Sequence, residues 1–550
     1  MLKINIKKYL INLSISIFIA IILLYSLYPI LSNKFVYGDD SLFHMMRIEG
    51  IKDSIVNGNY LGLVYPNSVN SFGYGSGLFY PNFFLYIPAL FNIIGINIDT
   101  SYKMFIVIIT IACAVSMYFS TKYISKNKFI SLCATIIYSL AQYRIYTFYC
   151  RSALGESIAF VFFPLIVCGI YDIFYNEFKK PWIIGAGFLG LMLCHSISLA
   201  IGLIIFFAVT IINIKKLIQN YKKFIKLVLT GCVVLLLSVF FWGPMLEQFI
   251  SGKFGFYEPI YNVTDIAMEL KSIFQLVGPG IGITFLMLLV LKFAVDSDKE
   301  KTSYSDVCLC IGLILVWATT KYFPWKVFEG ILSPIQFPWR LFGFANAFLA
   351  VALAILIGKI ERKRARIGIF IFLIVSSLIG SYYELERAMG SFTLEPLYRG
   401  NEYSSFSIGN GEWLPLGTKI EDLWSGENLV TLDDGSKIEA DKKGGKVLFN
   451  YLAEYDCEHI DIPLIYYKGY KAYYTNKDGE KIYLPVNISY NNNQVRVGNL
   501  PDEDIEITVV YEGTIVQKIS VYISIITIIF LFAFKIQKVV LRRQYLFNFN

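Results

Sequence analysis

The sequence predicts a polytopic α-helical membrane protein with about twelve transmembrane helices and a small extracytoplasmic β-rich domain. Of its 550 residues, 56% are hydrophobic and only 16% are charged, against roughly 25% charged residues in soluble domains. Apolar runs long enough for membrane helices recur along most of the chain, and a helix satisfies its own backbone groups within lipid. Short basic clusters separate these runs, as is typical of cytoplasmic loops.

The positions of lysine and arginine predict how the chain crosses the membrane. Every basic cluster falls on one side only if the number of spans is even, so both termini are expected to be cytoplasmic. The net charge of +8 resides in these clusters, and no nucleic-acid partner is expected. The predicted spans lie near residues 9–31, 102–120, 128–142, 157–175, 182–195, 197–214, 224–243, 273–294, 307–320, 340–358, 366–382 and 519–534.

Two apolar segments need a separate interpretation. Residues 78–95 contain Pro81 and Pro88, and a crossing there would reverse every later loop, so an interfacial helix on the outer face is predicted. Residues 182–213 are too long for one crossing of a ~30 Å core and carry lysines at both ends. They predict a helical hairpin with His195 at a recessed turn.

The β-rich domain is predicted between the last two spans. Ile505, Ile507 and Val509 alternate with polar residues, and "NKDGEK" and "YNNNQ" are typical of hairpin turns. The predicted division of the chain is a transmembrane domain over 1–382 with a first outer loop at 32–101, an extracytoplasmic domain over 383–518, and a final helix with a basic cytoplasmic tail over 519–550.

Ionisable residues cluster where the chain leaves the first span, in "VYGDDSLFHMMRIEG". If this segment opens a helix, Asp40, His44 and Arg47 stand at i, i+4 and i+7 on one face. In a structural interpretation, Asp39 or Asp40 caps the helix and Arg47 pairs with Asp40. His44 is then an interfacial residue. In a functional interpretation the cluster is a site, because ionisable groups at a membrane boundary that face the bundle tend to be functional.

A glycine-rich segment, "SFGYGSGLFYPN", follows in the same outer loop. Gly73, Gly75 and Gly77 alternate with other residues there, and aromatic side chains such as Tyr80 lie beside them. This density of glycine predicts either a tight loop that lets another group approach the backbone or a flexible surface loop.

Further polar residues fall on the predicted outer side. Arg144, Arg151 and Glu156 lie in "QYRIYTFYCRSALGES", and Arg340 lies at the outer mouth of the tenth span. Each has an alternative explanation, since arginines can snorkel or anchor a helix end and His195 can be a satisfied core histidine. The convergence of an acid pair, a histidine and several arginines on one face of the bundle favours a functional site.

Two acidic motifs are interpreted without a catalytic role. Asp296 and Asp298 have D-x-D spacing but lie in a short, highly charged loop, which indicates a solvated charge run. Asp433 and Asp434, which precede Gly435, are typical of a β-turn.

Six segments in order along most of the chain resemble the GT-C superfamily of membrane glycosyltransferases. They are "GDDSLFHMMRI", "GYGSGLFYPNFFLYIPALF", "LCHSISLAIGL", "IQFPWRLFGF", "NGEWLPLG" and "YYKGYKAYYTNKDGE". Within that superfamily the sequence is most similar to the bacterial YfhO-like proteins, a group that overlaps with the "6-pyruvoyl-tetrahydropterin synthase-related" membrane proteins. The resemblance implies a multi-pass protein of the bacterial plasma membrane with a GT-C-like fold.

The resemblance also implies a reaction, the transfer of a sugar from a polyprenyl-phosphate carrier to an envelope glycan or glycolipid acceptor on the outer face. By analogy Asp39 or Asp40 is the base, with His44 beside them as a catalytic residue. Asp40 is the candidate ligand of a divalent cation such as Mg²⁺ or Mn²⁺. The candidate substrate-binding residues are Arg47, Tyr80, Arg144, Arg151, Glu156, His195, Gln336, Arg340 and Trp413.

Two other classes of function stay open at this point. A lipid or glycan transporter or flippase predicts internal symmetry and broken helices at the bilayer midplane, whereas the charged residues here cluster at one face. A non-catalytic scaffold for envelope assembly, with the β-rich domain as its binding part, is the third hypothesis. Turnover of a lipid-linked sugar donor would discriminate an enzyme from both.

Overall fold

The computed structural model describes residues 2–32, 35–36, 38–257, 262–295, 303–390, 392–393, 408–425 and 429–547. Asp296 and Asp298, predicted to form a solvated charge run, lie outside these ranges. The helices are α1 (Leu2–Ser26), α2 (Tyr28–Leu31), α3 (Ser41–Val56), α4 (Tyr86–Ile93), α5 (Ile98–Ser125), α6 (Lys128–Ser139), α7 (Gln142–Ile145), α8 (Leu154–Ala159), α9 (Phe163–Phe174), α10 (Pro181–Met192), α11 (Ser196–Ile212), α12 (Ile214–Ile218), α13 (Tyr221–Ser251), α14 (Leu286–Val295), α15 (Tyr304–Ala318), α16 (Trp325–Leu332), α17 (Phe342–Gly358), α18 (Lys363–Gly390), α19 (Ile420–Ser425) and α20 (Ile515–Phe547).

Six helical segments in the described part of the chain are long and apolar enough to cross a membrane, so the chain is a multi-pass membrane protein. They are Ile98–Ser125, Leu154–Phe174, Tyr221–Ser251, Pro338–Gly358, Lys363–Gly390 and Ile515–Gln537, and each contains or overlaps a predicted span. The other six predicted spans coincide with shorter apolar helices of 10–17 residues. At 1.5 Å per residue the shortest of these rise only about half of a ~30 Å core, so the predicted number of twelve crossings is not established.

The segments 78–95 and 182–213 form the short helix and the helical hairpin that their sequences predict. Residues 78–95 contain a 3₁₀ turn, Phe83–Leu85, followed by the eight residues of α4, which are too short to cross a bilayer. The apolar run from 182 to 213 forms α10 and α11, and His195 lies in the turn between them. The hairpin is therefore confirmed, while the depth of its turn in a membrane stays a prediction.

The chain divides into two compact units, each assembled from separate stretches of sequence. Unit 1 comprises Met1–Met45, Ile94–Thr230 and Pro259–Leu397, as far as these ranges are described. Its most deeply buried long helix is α17, where 89% of the span from Pro338 to Gly358 is covered by protein. Helix α17 is apolar on all sides, the pattern of a helix surrounded by others, and it packs on α6, α9, α14 and α15.

Unit 2 comprises Met46–Ile93, Gly231–Glu258 and Tyr398–Asn550, as far as these ranges are described. The strands of the described residues are β1 (Phe35–Val36), β2 (Phe392–Thr393), β3 (Val430–Leu432), β4 (Lys437–Ile438), β5 (Asp441–Lys443), β6 (Lys446–Tyr451), β7 (His459–Ile465), β8 (Tyr470–Thr475), β9 (Lys481–Leu484), β10 (Val486–Ile488), β11 (Gln494–Gly498) and β12 (Ile505–Tyr511). In unit 2, strands β3 to β12 form two antiparallel five-stranded sheets, with the orders β10-β11-β7-β3-β4 and β5-β6-β12-β8-β9.

The β-rich prediction is confirmed, including its turns. Ile507 and Val509 are fully buried in β12, the central strand of its sheet. The predicted hairpin turns join β8 to β9 and β10 to β11. The turn at Asp433 to Gly435 closes through a 2.9 Å bond from the Leu432 N–H to the Ser436 carbonyl, and it joins β3 to β4.

Candidate active site

The acid pair is fixed by backbone bonds to an unusual turn of unit 1. Helix α7 continues into a π-helical turn, Tyr146–Cys150, a type of turn that often occurs at functional sites. The Asp39 N–H donates to the Cys150 carbonyl (3.1 Å), and the Asp40 N–H donates to the Arg151 carbonyl (2.8 Å). Gly38 permits this approach, because a Cβ there would lie 2.5 Å from the Tyr149 carbonyl oxygen.

A buried charge cluster adjoins the acid pair. One carboxylate oxygen of Glu156 lies 2.9 Å from Arg151 and 3.5 Å from Arg340, and the other accepts the Tyr143 hydroxyl at 2.5 Å. The Glu156 side chain is 1% exposed, and each arginine side chain is 8% exposed. Arg151 also lies 3.8 Å from the Asp40 carboxylate, so the cluster joins two acids to two arginines.

The segment before α17 supplies another wall of this cluster. The Phe337 ring lies 5.5 Å from the Arg151 guanidinium and 5.0 Å from that of Arg340, and it stacks on Trp339. Arg340 donates to the Gln336 side-chain oxygen at 2.7 Å. Gln336 and Arg340, both predicted site residues, are therefore brought together, with Arg340 held as a buried residue of the wall.

Both carboxylates of the acid pair are partly covered by protein. Burial raises the pKa of Asp39 and that of Asp40 above the ordinary range, while the positive charge of Arg151 opposes the rise at each. Asp39 is nevertheless exposed, and 42% of the Asp40 side-chain surface is accessible. The two groups are thus reached by solvent although protein surrounds them, which is the setting of an acid or base in an active site.

Two ionisable residues that the sequence analysis missed adjoin the same turn. Helix α18 continues past the predicted end of its span at residue 382 and carries Glu384 and Arg387 in its last two turns. One Glu384 oxygen accepts the Gly278 N–H, and the other lies 3.4 Å from the Cys150 sulfur. The Arg387 guanidinium lies 5.6 Å from the Tyr146 ring. Ionisable residues directly after an apolar span, at the predicted membrane boundary, are the signal that could have found them.

His44 has a structural contact in unit 1. Its Nε2 accepts the N–H of Leu154, the first residue of α8, at 3.0 Å. This bond satisfies one of the donors that a helix start leaves unpaired. Since His44 is 2% exposed, the geometry gives it a positioning role, and its assignment as a catalytic residue stays a prediction.

Arg144 and His195 are engaged elsewhere in unit 1. The sequence placed Arg144 in a loop, but it lies in α7, is 1% exposed, and donates to the Ser139 carbonyl (2.8 Å) and the Thr110 hydroxyl (3.0 Å). His195 caps α11, since its Nδ1 accepts the Ser198 N–H at 3.3 Å. These contacts fit the structural alternatives better than substrate binding.

Three predicted substrate-binding residues belong to unit 2. The Arg47 guanidinium donates to the Pro81 carbonyl (2.8 Å) and the Asn82 side-chain oxygen (2.9 Å), and it lies 4.0 Å from the Tyr80 ring. The Tyr80 ring is in turn 6.5 Å from that of Trp413, and both residues are half-buried. The suggested pairing of Arg47 with Asp40 is wrong, because the structure pairs Asp40 with Arg151.

The glycines of the outer loop are explained by packing within unit 2. Gly73 has a φ of +87°, which favours glycine. A Cβ on Gly75 would lie 2.6 Å from the Tyr467 ring, and a Cβ on Gly77 would lie 2.6 Å from the Gly62 carbonyl. The segment is therefore a tight, buried loop, and the groups that approach its backbone are the protein's own.

The divalent cation at Asp40 stays a prediction. The Asp40 carboxylate faces the guanidinium of Arg151 at 3.8 Å, which already places one positive charge beside it. Nowhere in the described ranges do three or more histidine, cysteine or acidic side chains form a group able to hold a metal ion. The arginines themselves supply the positive charge of the site.

The fold and the site define this chain as a multi-pass membrane protein with an acid pair set beside buried arginines. No protein-family model matches the chain. An uncharacterized protein of Lactococcus lactis subsp. cremoris (strain MG1363) is 23% identical over 560 residues, which cover 88% of this chain and 89% of that protein.

Two solved structures are similar to the chain. The arabinofuranosyltransferase AftD from Mycobacteria has a TM-score of 0.43 and 11% identity, and the match covers 71% of this chain and 27% of AftD. The archaeal oligosaccharyltransferase AglB from Archaeoglobus fulgidus, in complex with an inhibitory peptide and a dolichol-phosphate, has a TM-score of 0.33 and 10% identity. That match covers 68% of this chain and 56% of AglB. TM-scores this low do not establish a common fold, so neither structure assigns an activity to this chain.

Proposed function

We propose that the protein is a GT-C-like membrane glycosyltransferase that moves a sugar from a polyprenyl-phosphate carrier to an envelope glycan or glycolipid. The observation that supports this proposal most strongly is the acid pair of unit 1, which solvent reaches and which lies beside buried arginines. A site of this composition suits a reaction that removes a proton and releases a phosphate. The first of the six segments that resemble GT-C enzymes contains the same acid pair.

In the proposed reaction Asp39 is the general base. Asp39 is the more suitable of the two acids because it is exposed, whereas Asp40 is tied to Arg151 through both its backbone and its carboxylate. The hydroxyl oxygen of the acceptor attacks the anomeric carbon of the donor sugar, and Asp39 takes the hydroxyl proton. The bond from that carbon to the phosphate oxygen breaks, and its electron pair leaves with the polyprenyl phosphate.

The charge cluster has two roles in this scheme. The ion pairs of Glu156 with Arg151 and Arg340 hold the π turn and the start of α17 in place, which fixes the acid pair. The positive charge of these two arginines stabilises the phosphate as it departs. The half-buried rings of Tyr80 and Trp413 in unit 2 stay candidate substrate-binding groups.

The proposed location is the bacterial plasma membrane, with both termini in the cytoplasm and residues 383–518 outside. The alternation of basic clusters with apolar helices supports this arrangement. It places the polyprenyl-phosphate donor and the envelope acceptor on the same side of the membrane as the acid pair.

A turnover assay tests the proposal. The purified full-length protein is mixed with short-chain polyprenyl-phosphate sugars and envelope glycolipids, and mass spectrometry follows free polyprenyl phosphate and glycosylated acceptor. We expect both products to form together, and the Asp39→Asn/Asp40→Asn double variant to form neither. Transport of intact donor lipid across proteoliposomes without cleavage would replace the proposal with a flippase.

A further inference from the structure

The C-terminal ends of two membrane spans meet at one end of the helix bundle in unit 1. The spans are Ile98–Ser125 and Leu154–Phe174. The Tyr123 hydroxyl of the first span donates to the Asp172 carboxylate of the second at 2.6 Å. The second span begins just after Arg151, beside the acid pair, and its 21 residues rise about 30 Å. The two spans therefore end at the membrane boundary opposite to the acid pair.

Asp172 holds the loop 175–180, which follows the second span, in one conformation. Asp172 is 0% exposed, and its second carboxylate oxygen accepts the Lys180 N–H at 2.8 Å. The Asn176 side chain donates to the Asp172 carboxylate and to the Tyr123 hydroxyl, each at 3.0 Å. Both carboxylate oxygens are therefore used within the protein, and the loop lies against Tyr123.

Two exposed lysines meet at the ring of Tyr123. The Lys126 ammonium nitrogen lies 4.0 Å from the ring centroid, and that of Lys180 lies 4.7 Å from it. The two nitrogens are therefore within about 9 Å of each other, although like charges repel. An exposed lysine usually turns freely in water, so a ring that holds two of them presents a fixed pair of positive charges.

In the described part of the chain, positive charge exceeds negative charge around this lysine pair. Glu177, an acid of the same loop, is already paired with Lys179 at 2.8 Å. Lys223 and Lys226 donate to carbonyl groups of the loop at 2.7 and 2.6 Å, which brings two more positive charges to it. The buried carboxylate of Asp172 offsets only part of this charge, so the loop favours an anion.

An exposed tryptophan indicates that the lysine pair lies at the depth of lipid headgroups. Trp182, in the first turn of α10, is 61% exposed and closely follows Lys180 in the sequence. Tryptophan is enriched at the two interfaces of a membrane, where its ring meets both lipid and water. At the end of two membrane spans, this position favours a lipid headgroup over a soluble anion.

We propose that Lys126 and Lys180 form a binding site for the phosphate of an anionic phospholipid, in the leaflet opposite to the acid pair. Ammonium groups donate charge-assisted hydrogen bonds to phosphate oxygens. A basic pocket between membrane helices is a typical site for such headgroups. The site is independent of the proposed sugar transfer, because the acid pair takes no part in it. An alternative role of the lysines is structural, since an ammonium group stacked on a tyrosine ring stabilises a fold without any ligand.

Competition binding to the purified full-length protein in detergent tests the proposal. The probe is a phosphatidylglycerol with a fluorescent acyl chain, and the competitors are unlabelled phosphatidylglycerol, phosphatidylcholine and inorganic phosphate. The variants are Lys126→Gln, Lys180→Gln and the double variant. The matched control is Lys215→Gln/Lys222→Gln, which removes the same charge from two exposed lysines at the same end of the bundle.

We expect the double variant to weaken binding of the fluorescent lipid by about 10-fold or more, because each lysine near a membrane surface contributes to the attraction of anionic lipid. Each single variant should lose part of this affinity, and the control should bind as the wild type does. Unlabelled phosphatidylglycerol should displace the probe at the lowest concentration. Phosphatidylcholine, whose headgroup has no net charge, and inorganic phosphate, which has no acyl chain, should each require far more.

Wild-type affinity in the double variant would overturn the proposal. An equal loss in the control would also overturn it, because the attraction would then come from the general charge of this end of the bundle. Displacement of the probe by inorganic phosphate as readily as by phosphatidylglycerol would replace the lipid with a soluble anion. The unfolding temperature without lipid tests the structural role. A lower temperature in the double variant, with unchanged lipid affinity, would show that the lysines only stabilise the fold.

Discussion

Replacing Glu156 with glutamine should destabilise unit 1, because this carboxylate neutralises two buried guanidinium groups. It lies 2.9 Å from Arg151 and 3.5 Å from Arg340, and both arginines are 8% exposed. Removing one partner of a buried ion pair costs about 3–5 kcal/mol. The lower end of this energy range applies to Glu156→Gln for two reasons. Arg151 still has the Asp40 carboxylate 3.8 Å away, and the glutamine side-chain oxygen can still accept a hydrogen bond from the Tyr143 hydroxyl.

The assay is thermal unfolding of the detergent-purified protein, followed by tryptophan fluorescence. A loss of this size should lower the apparent unfolding temperature by roughly 5 °C or more. The control is Glu177→Gln, which breaks a 2.8 Å pair with Lys179 in which both side chains are exposed, and it should leave the temperature unchanged. Because the control pair has nearly the same distance, burial is the main difference between the two variants.

A second variant separates charge from geometry. In Glu156→Gln/Arg340→Met one of the uncompensated guanidinium groups is removed together with the carboxylate. Part of the lost stability should return, so the two substitutions should be non-additive. Unfolding of Glu156→Gln at the wild-type temperature would refute the reasoning, since it would mean that water already solvates the two arginines.

Three further predictions concern the loop, the β-sheets and the topology. Gly75→Ala should cost about 1–3 kcal/mol in unfolding free energy, because its Cβ would lie 2.6 Å from a tyrosine ring, whereas Gly231→Ala, in helix α13 with nothing within 4 Å, should not destabilise the protein. Burial lowers the pKa of Lys442 to about 7, well below the ordinary pKa of a lysine. Between these two pH values Lys442 is protonated in the unfolded chain but not in the folded protein, so the free energy of unfolding should rise with pH. Lys442→Met should abolish that rise, and an unchanged pH slope would contradict it. A cysteine placed at position 450 should be labelled from outside the cell and one at position 219 only after permeabilisation; the reverse pattern would invert the proposed topology.

Local patterns predicted the parts of the fold that depend on nearby residues. The apolar runs coincide with helices because hydropathy alone marks a segment that can be buried on every side. The turns at "NKDGEK" and "YNNNQ" were recognised because turn chemistry is set by a few adjacent residues. The grouping of Asp40, Arg151 and Arg340 also followed from sequence, since alternating spans place these residues on one side.

The contacts of the site could not be predicted, because they join distant parts of the chain. The sequence offered Arg47 as the partner of Asp40, since helical spacing was the only guide, but a π turn brings Arg151 there instead. Hydropathy ended the eleventh span at residue 382, and the helix continues because Glu384 is satisfied by a loop about 100 residues earlier in the chain. No pattern of neighbouring residues predicts that Glu384 has a hydrogen-bond partner so far away in the sequence.

The glycine-rich loop shows a third limit of sequence reasoning. The density of Gly73, Gly75 and Gly77 left open a tight loop whose backbone another group approaches and a flexible surface loop, and the structure shows the tight loop. The identity of that group could not be predicted, because Tyr467, which lies against Gly75, is far along the chain in the β-rich domain. A glycine indicates that a larger side chain would not fit at its position, but it does not indicate which residue lies against it.

Asp39 is proposed to be the base of a glycosyl transfer, and a comparison of sugar transfer by Asp39→Asn, Asp40→Asn and the wild type tests this role. Both variants should insert and fold, since the two carboxylates are reached by solvent. Asp434→Asn, in an exposed β-turn, serves as the control and should transfer sugar normally. We predict that Asp39→Asn lowers the transfer rate by roughly 10²-fold or more, the usual effect of losing a general base, and that Asp40→Asn lowers it less. Transfer at the wild-type rate by the Asp39→Asn variant would contradict the account.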